Sequence, residues 1–252
     1  MNRASCKKHN IEIQKNLNCW QSKLVLQKIY QHFYKLIVEY LQKNINGEIV
    51  EIGSGIGNLK MVVPNCLSTD IFPNPWIDQV ENAYQLSFTD NSVSNLILFD
   101  VWHHLEFPGN ALQEFHRVLI PGGRVIIFEP DMSLLGFIVY GFFHHEPIGF
   151  FKKIKWWASK DFSLNDAAYY AAQGNAARIF RSDKFSKLLL NWEIITTKRI
   201  SSISYIASGG YSGRKLYPNC FYPLMTFIDR LCDHSPQLFA TRLLIVIEKK
   251  NV

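Results

Sequence analysis

Gly53-Ser54-Gly55-Ile56-Gly57 follows at once on the apolar run Glu48-Ile49-Val50-Glu51-Ile52. Glycines let a backbone turn tightly and let a ligand approach it closely, so a strand running into this loop suggests a seat for a phosphate or a nucleoside. The dinucleotide fingerprint G-x-G-x-x-G is not met, because Asn58 stands at its last position, and the phosphate-loop lysine is missing. Both departures count against a nicotinamide enzyme and an ATPase. Glu51, Asp70, Asp100 and Glu129 lie at the ends of apolar runs. Together they suit a cationic or hydroxyl-rich ligand, while each taken singly reads as a helix cap or the start of an exposed loop. Histidines form the third group, as His103-His104 and as His144-His145-Glu146 inside an aromatic stretch. Polar groups in apolar surroundings need partners or a function. The first pair also reads as a helix start beside the loop, and the second as an exposed connection.

These residues need elements to position them. Leu26, Ile29, Tyr30, Phe33, Leu36, Ile37, Tyr40 and Leu41 recur in steps of three and four, which predicts an amphipathic helix over 20–43 stopped by Asn46-Gly47. Short strands are expected at 48–52, 66–69, 79–80, 96–99 and 124–128, with a helix over 111–119 ended by Pro121-Gly122-Gly123. Such alternation argues an α/β fold whose parallel sheet is covered on both faces and binds ligands at its carboxyl edge. Farther on, Ser182 to Leu190 reads as a capped helix with Phe185, Leu188 and Leu189 inward, and 193–197 and 243–247 as two more strands. A glycine- and proline-bearing connection lies between those strands, of the kind that forms lids and binding loops.

In this context the glycine loop resembles the first motif of the class I methyltransferases, which use S-adenosylmethionine. Asp70 lies 19 residues after Glu51, where that family holds the ribose hydroxyls. Asn82-Ala83-Tyr84-Gln85-Leu86-Ser87-Phe88 is similar to the family's D-A-x-x-L-P-F segment beside the adenine, with Asn82 in place of the usual Asp. Phe99-Asp100-Val101-Trp102-His103-His104-Leu105 resembles the fourth-strand motif, and Val118-Leu119-Ile120-Pro121-Gly122-Gly123 the turn before the fifth strand. The ordered motifs cover residues 49–130 and resemble the small-molecule type 11 subgroup. The resemblance implies a Rossmann-like, seven-stranded, mostly parallel sheet with helices on both faces and an inserted helical, aromatic cap. It implies one domain over 1–252, with a cofactor-binding core over 45–130 and cap insertions over 131–175 and 200–241. The cofactor residues it implies are Glu51, Gly53, Ser54, Gly55, Gly57, Asp70, Ile71, Asn82, Ala83 and Asp100.

A sulfonium methyl is already a strong electrophile, so such an enzyme must chiefly align the acceptor and exclude water. A base is needed only for an acceptor that holds its proton tightly. His145 and Glu146 are the candidates, with His104 and its neighbour His103 next. Phe137, Tyr140, Phe142, Phe143, Phe150, Phe151, Trp156 and Trp157 read as cap core or as the lining of an apolar acceptor pocket. With Lys152, Lys153, Lys155 and Lys160 among them they also read as a peripheral membrane contact.

The excess of 27 basic over 21 acidic residues gives only +6, which permits an anionic partner without requiring one. An RNA methyltransferase is the alternative enzyme, disfavoured because no Asn/Asp-Pro-Pro-Tyr segment follows the fourth strand. A catalytically inactive methyltransferase-like binding protein is disfavoured by the intact Gly53, Gly55, Gly57 and Asp70. No DNA partner is expected. The five cysteines form no C-x-x-C pair, and no zinc-finger spacing of histidines exists, so no metal is expected. The stretch 132–145, with 14 residues, is too short to span a bilayer, which points to a cytoplasmic protein, membrane-peripheral at most.

Overall fold

The computed structural model describes residues 3–143, 146–150, 152–163 and 170–251, the side chains of 3–5 excepted. The elements are α1 (Arg3–Ser22), α2 (Leu24–Glu39), β1 (Glu48–Ile52), β2 (Cys66–Asp70), β3 (Gln79–Val80), β4 (Val93–Phe99), α3 (Pro108–Val118), β5 (Leu119–Pro130), α4 (Leu134–Phe142), α5 (Asn175–Phe180), β6 (Trp192–Ser201), α6 (Ile203–Ala207), α7 (Tyr222–Cys232), α8 (Pro236–Phe239) and β7 (Ala240–Lys249). The seven strands form one sheet in the order β3-β2-β1-β4-β5-β7-β6. β1 to β5 pair in parallel, and β7 runs antiparallel between β5 and β6. The sheet is therefore α/β and mostly parallel, as the alternation predicts.

Strands buried on both faces must be apolar throughout, and Leu96, Ile97 and Leu98 of β4 and Val125, Ile126, Ile127 and Phe128 of β5 are all fully buried. One face packs on α3 and α5 through Leu112, Phe115, Ile179 and Phe180, and the other on α2 through Leu26, Ile29, Phe33 and Ile37. At the usual ~1.5–3 kcal/mol per buried large apolar side chain, these two cores are the main source of stability.

Four local expectations differ from the structure. The helix over 20–43 is two helices broken at Lys23, and the second ends at Glu39. Gly47 stops no helix; a Cβ there would lie 2.7–2.9 Å from Ile120 Cδ1, Ser94 N and Ser92 O, so it is the place where the chain passes against β4. Pro121-Gly122-Gly123 does not precede β5 but lies inside it, as a bulge. Val93 pairs with Leu119 and Asn95 already with Arg124, and Gly122 adopts φ +78°. Residues 183–188 form a 3₁₀ helix with Ser182 capping it, Leu189 buried but Leu188 exposed. No helix among the described residues is long and apolar enough to cross a membrane.

Candidate active site

The glycine loop leaves β1 with Gly53, Gly55 and Gly57 all at positive φ, a conformation that side chains with a Cβ rarely adopt. A Cβ on Gly53 would lie 2.5 Å from Val101, and one on Gly57 2.7 Å from the Trp76 carbonyl oxygen. Ser54 stitches β1 to β2. Its hydroxyl donates to the Glu51 carbonyl at 3.1 Å and accepts the Thr69 N–H at 3.0 Å. At the end of β2 the carboxylate of Asp70 accepts the N–H groups of Gly55 and Phe72, each at 3.2 Å.

Glu51 is buried, and its Oε2 has no hydrogen-bond partner. Burial, against a hydrogen bond from Ser54 and with the charge of Asp70, pushes its carboxyl up to about 8. A buried acceptor in this state is suited to a cationic ligand that restores its charge. Ile71 and Asn82 line a cleft of about 350 Å³ together with Val80, Gln85 and Leu86. Asn82 Oδ1 accepts the Tyr84 N–H at 3.0 Å, and Ala83 is buried beneath.

Asp100, at φ +55°, forms an ion pair with Arg242 Nη1 at 2.5 Å. Arg242 is buried in an aromatic box, 4.5 Å from the Tyr205 ring and 5.6–5.9 Å from Phe33, Phe99 and Phe128. The sequence reading missed this arginine, although a lone charge inside the apolar run Ala240-Thr241-Arg242-Leu243-Leu244 was its signal. It also missed α1. That helix crosses the glycine loop, with Ile13 Cδ1 3.4 Å from where a Gly55 Cβ would stand and His9 Nε2 3.5 Å from Asp70 Oδ1.

A second polar cluster forms over β4 and β5. His103 is buried between two carboxylates, with Nδ1 2.7 Å from Glu129 and Nε2 3.2 Å from Glu146. Burial alone would drive off its proton, but Glu129 and Glu146 outweigh that and push the ring up to about 10. His104 Nε2 lies 3.5 Å from Glu146, and its Nδ1 donates to the Tyr170 carbonyl at 2.9 Å. Burial and the charge on His103 lower its pKa. Glu146 also accepts from Gln173 at 2.7 Å, and it lines a cleft of about 340 Å³ with Phe137, Tyr140, Phe142 and Ile148. The structure thus brings His104 and Glu146 together; His145, His144 and Phe151 lie outside the described residues.

Residues 50–127 match the family model described as a methyltransferase domain. The chain carries a class I methyltransferase domain. Over 92–95% of its length the chain shares this fold with solved structures. A protein of Galdieria sulphuraria provisionally assigned as a sarcosine dimethylglycine methyltransferase is 11% identical, with a TM-score of 0.51, over 95% of this chain and 98% of that one. A chain of the complex between the Haloferax volcanii Trm112 methyltransferase activator and a provisionally assigned methyltransferase is 12% identical, with a TM-score of 0.52, over 92% of this chain and 96% of that one. A Dictyostelium discoideum protein assigned as polyketide synthase 10 is 22% identical over 90 residues, 36% of this chain but only 3% of the relative's length. The cofactor of the methyltransferase domain is S-adenosylmethionine, and the site fits it. The partnerless carboxylate oxygen of Glu51 suits its ammonium, Asp70 suits a ribose diol, and the three glycines leave the loop backbone bare, with Ile13 of α1 lying over Gly55.

Proposed function

We propose that the protein transfers the methyl group of S-adenosylmethionine to a small acceptor with an apolar or lipid-linked body. The observation that carries the acceptor reading is the 340 Å³ cleft, whose lining is aromatic and aliphatic except for Glu146. Sites for apolar ligands have this form, a greasy wall with few polar groups to fix orientation. On α4 and the segments that follow it Leu134, Ile138, Phe142, Phe143 and Phe150 are exposed, an apolar surface suited to an acceptor that extends beyond the cleft or sits in a lipid layer.

When bound, the cofactor supplies a methyl group activated by its positive sulfur. Glu51 and Asp70 hold its cationic and hydroxyl ends, and the glycine loop lets its backbone approach. Arg242 fixes Asp100 in place. Where the acceptor is a hydroxyl, its proton passes to the Glu146–His104 pair at the cleft wall. The test is methyl transfer from labelled cofactor to cell extracts split into lipid, glycan and RNA fractions. Label in the lipid fraction is expected. Label confined to RNA would replace this reading with an RNA methyltransferase.

A further inference from the structure

We propose that His103, His104 and Glu146 bind a divalent transition ion of the zinc class, through the two Nε2 atoms and the Glu146 carboxylate. Ligand atoms from these three residues all lie within 4.8 Å of one another. Two of the spacings are 3.2 Å, from His103 Nε2 to Glu146 Oε2, and 3.5 Å, from His104 Nε2 to Glu146 Oε1. A tetrahedral zinc site with arms of about 2.05 Å separates its ligand atoms by roughly 3.3 Å. Each imidazole nitrogen therefore already stands at about that spacing from a Glu146 oxygen, His103 from Oε2 and His104 from Oε1.

The surrounding groups point the same way. Metal-binding histidines as a rule donate their other ring N–H to a carboxylate or a backbone carbonyl, which fixes the tautomer and aims the remaining nitrogen. His103 Nδ1 donates to Glu129, and His104 Nδ1 donates to the Tyr170 carbonyl. Both partners can only accept, so both rings carry a proton on Nδ1 and turn Nε2 toward Glu146, and an ion binding there would displace the second proton that His103 holds on Nε2. Glu129 is itself fixed by the Trp102 N–H at 2.7 Å, and Glu146 by Gln173. Two histidines and one carboxylate, each with a supporting partner, make the donor set of zinc sites that keep a fourth position open. Such an ion has a route in, because the His104 side chain is one-third exposed (33%) and Glu146 lines the apolar cleft. On the methyl-transfer reading, on which this role rests, a bound ion would take the acceptor oxygen at its fourth position and lower its pKa, so that the proton would leave to solvent instead of passing to the Glu146–His104 pair.

The test uses the full chain stripped of metal, titrated with Zn²⁺ against a chromophoric chelator and with Co²⁺ by visible absorption. One equivalent per chain is expected, with the intense cobalt bands of a four-coordinate site. His104→Ala and Glu146→Gln should each weaken zinc at least tenfold, and Glu129→Gln should do so about tenfold or more through His103. Calorimetry with S-adenosylmethionine on the same variants reports separately on the fold and the cofactor site. No binding by the wild type overturns the proposal, as does equal binding by His104→Ala and Glu146→Gln. Loss of binding on cysteine alkylation alone also overturns it, since Cys6, Cys19, Cys66, Cys220 and Cys232 are free thiols. Should His104→Ala fail to fold, the near-isosteric Glu146→Gln decides. Zinc binding without cofactor binding would sink the methyltransferase reading and leave the site standing; the reverse would sink the site alone.

Discussion

Replacing Glu51 with Gln tests the cofactor site through its own energetics. The carboxyl ordinarily titrates at 4.5, and in the folded protein burial pushes it up to about 8. Between those values the folded protein keeps a proton that the unfolded chain has released. The unfolded state binds fewer protons, so stability falls as pH rises across this window and is level above it. At pH 7 the unfolded group is about 2.5 units past its pKa, which at 1.36 kcal/mol per unit amounts to a cost of about 3 kcal/mol. Glu51→Gln keeps the shape and removes the ionisation. Its ligand-free form should therefore be more stable than wild type at pH 7 by up to about 3 kcal/mol, or roughly 6–12 °C in Tm. The gap should close as pH falls toward 4.5, and thermal melts from pH 4 to 8.5 read it directly. Cofactor binding should reverse the ranking. The ammonium group restores the Glu51 charge, so wild type should release close to one proton on binding at pH 7, measured by calorimetry in buffers of different ionisation enthalpy. The variant should release none and bind more weakly. Parallel melting curves for the two proteins across this range would refute the reasoning.

Asp70→Ala should weaken cofactor binding by about 1–3 kcal/mol in calorimetry, because a charged hydrogen-bond partner is lost. Some stability should be lost with it, since the Gly55 and Phe72 N–H groups lose their acceptor. Asp100→Asn leaves the buried Arg242 guanidinium without its counter-charge and should destabilise the protein by about 3 kcal/mol in urea melts, more than a surface pair would. Gly109→Ala forces a Cβ to within 2.5 Å of the Trp156 ring and 2.6 Å of its carbonyl oxygen, so Trp156 fluorescence should shift and stability fall by about 1–3 kcal/mol. Glu146→Gln should lower kcat by about 10²-fold or more and leave cofactor affinity nearly unchanged, in steady-state kinetics beside calorimetry.

The central strands were legible because each is a short apolar run that ends at a carboxylate, as Ile49–Ile52 and Leu96–Phe99 show. Helix α2 was legible by its stripe, yet its start was not, because the break at Lys23 carries no proline or glycine to mark it. Among its described side chains helix α1 buries only Ile13 and Trp20 of the large ones, so it shows no apolar stripe and reads as a polar tail. The bulge in β5 was hidden because Pro-Gly-Gly is ordinarily a stop, and only pairing with β4 carries the strand through it. The cofactor half of the site follows one continuous stretch of chain. The other half joins His103, Glu129 and Glu146 across strand adjacency and an irregular connection, which no local periodicity encodes.

The antiparallel strand β7 has a consequence for biosynthesis. It lies between β5 and β6, not at an edge, and joins Val125 to Ile247 across more than a hundred residues of chain. A nascent chain that has emerged only through β5 holds the glycine loop, Asp70 and Asp100 but lacks the counter-ion of Asp100 and one flank of Phe128. Such long-range closure is slow, and until it occurs the apolar edge of β5 is open to other chains. The buried ion pair of Asp100 with Arg242 at the end of β4 is thus completed late in synthesis, when β7 arrives.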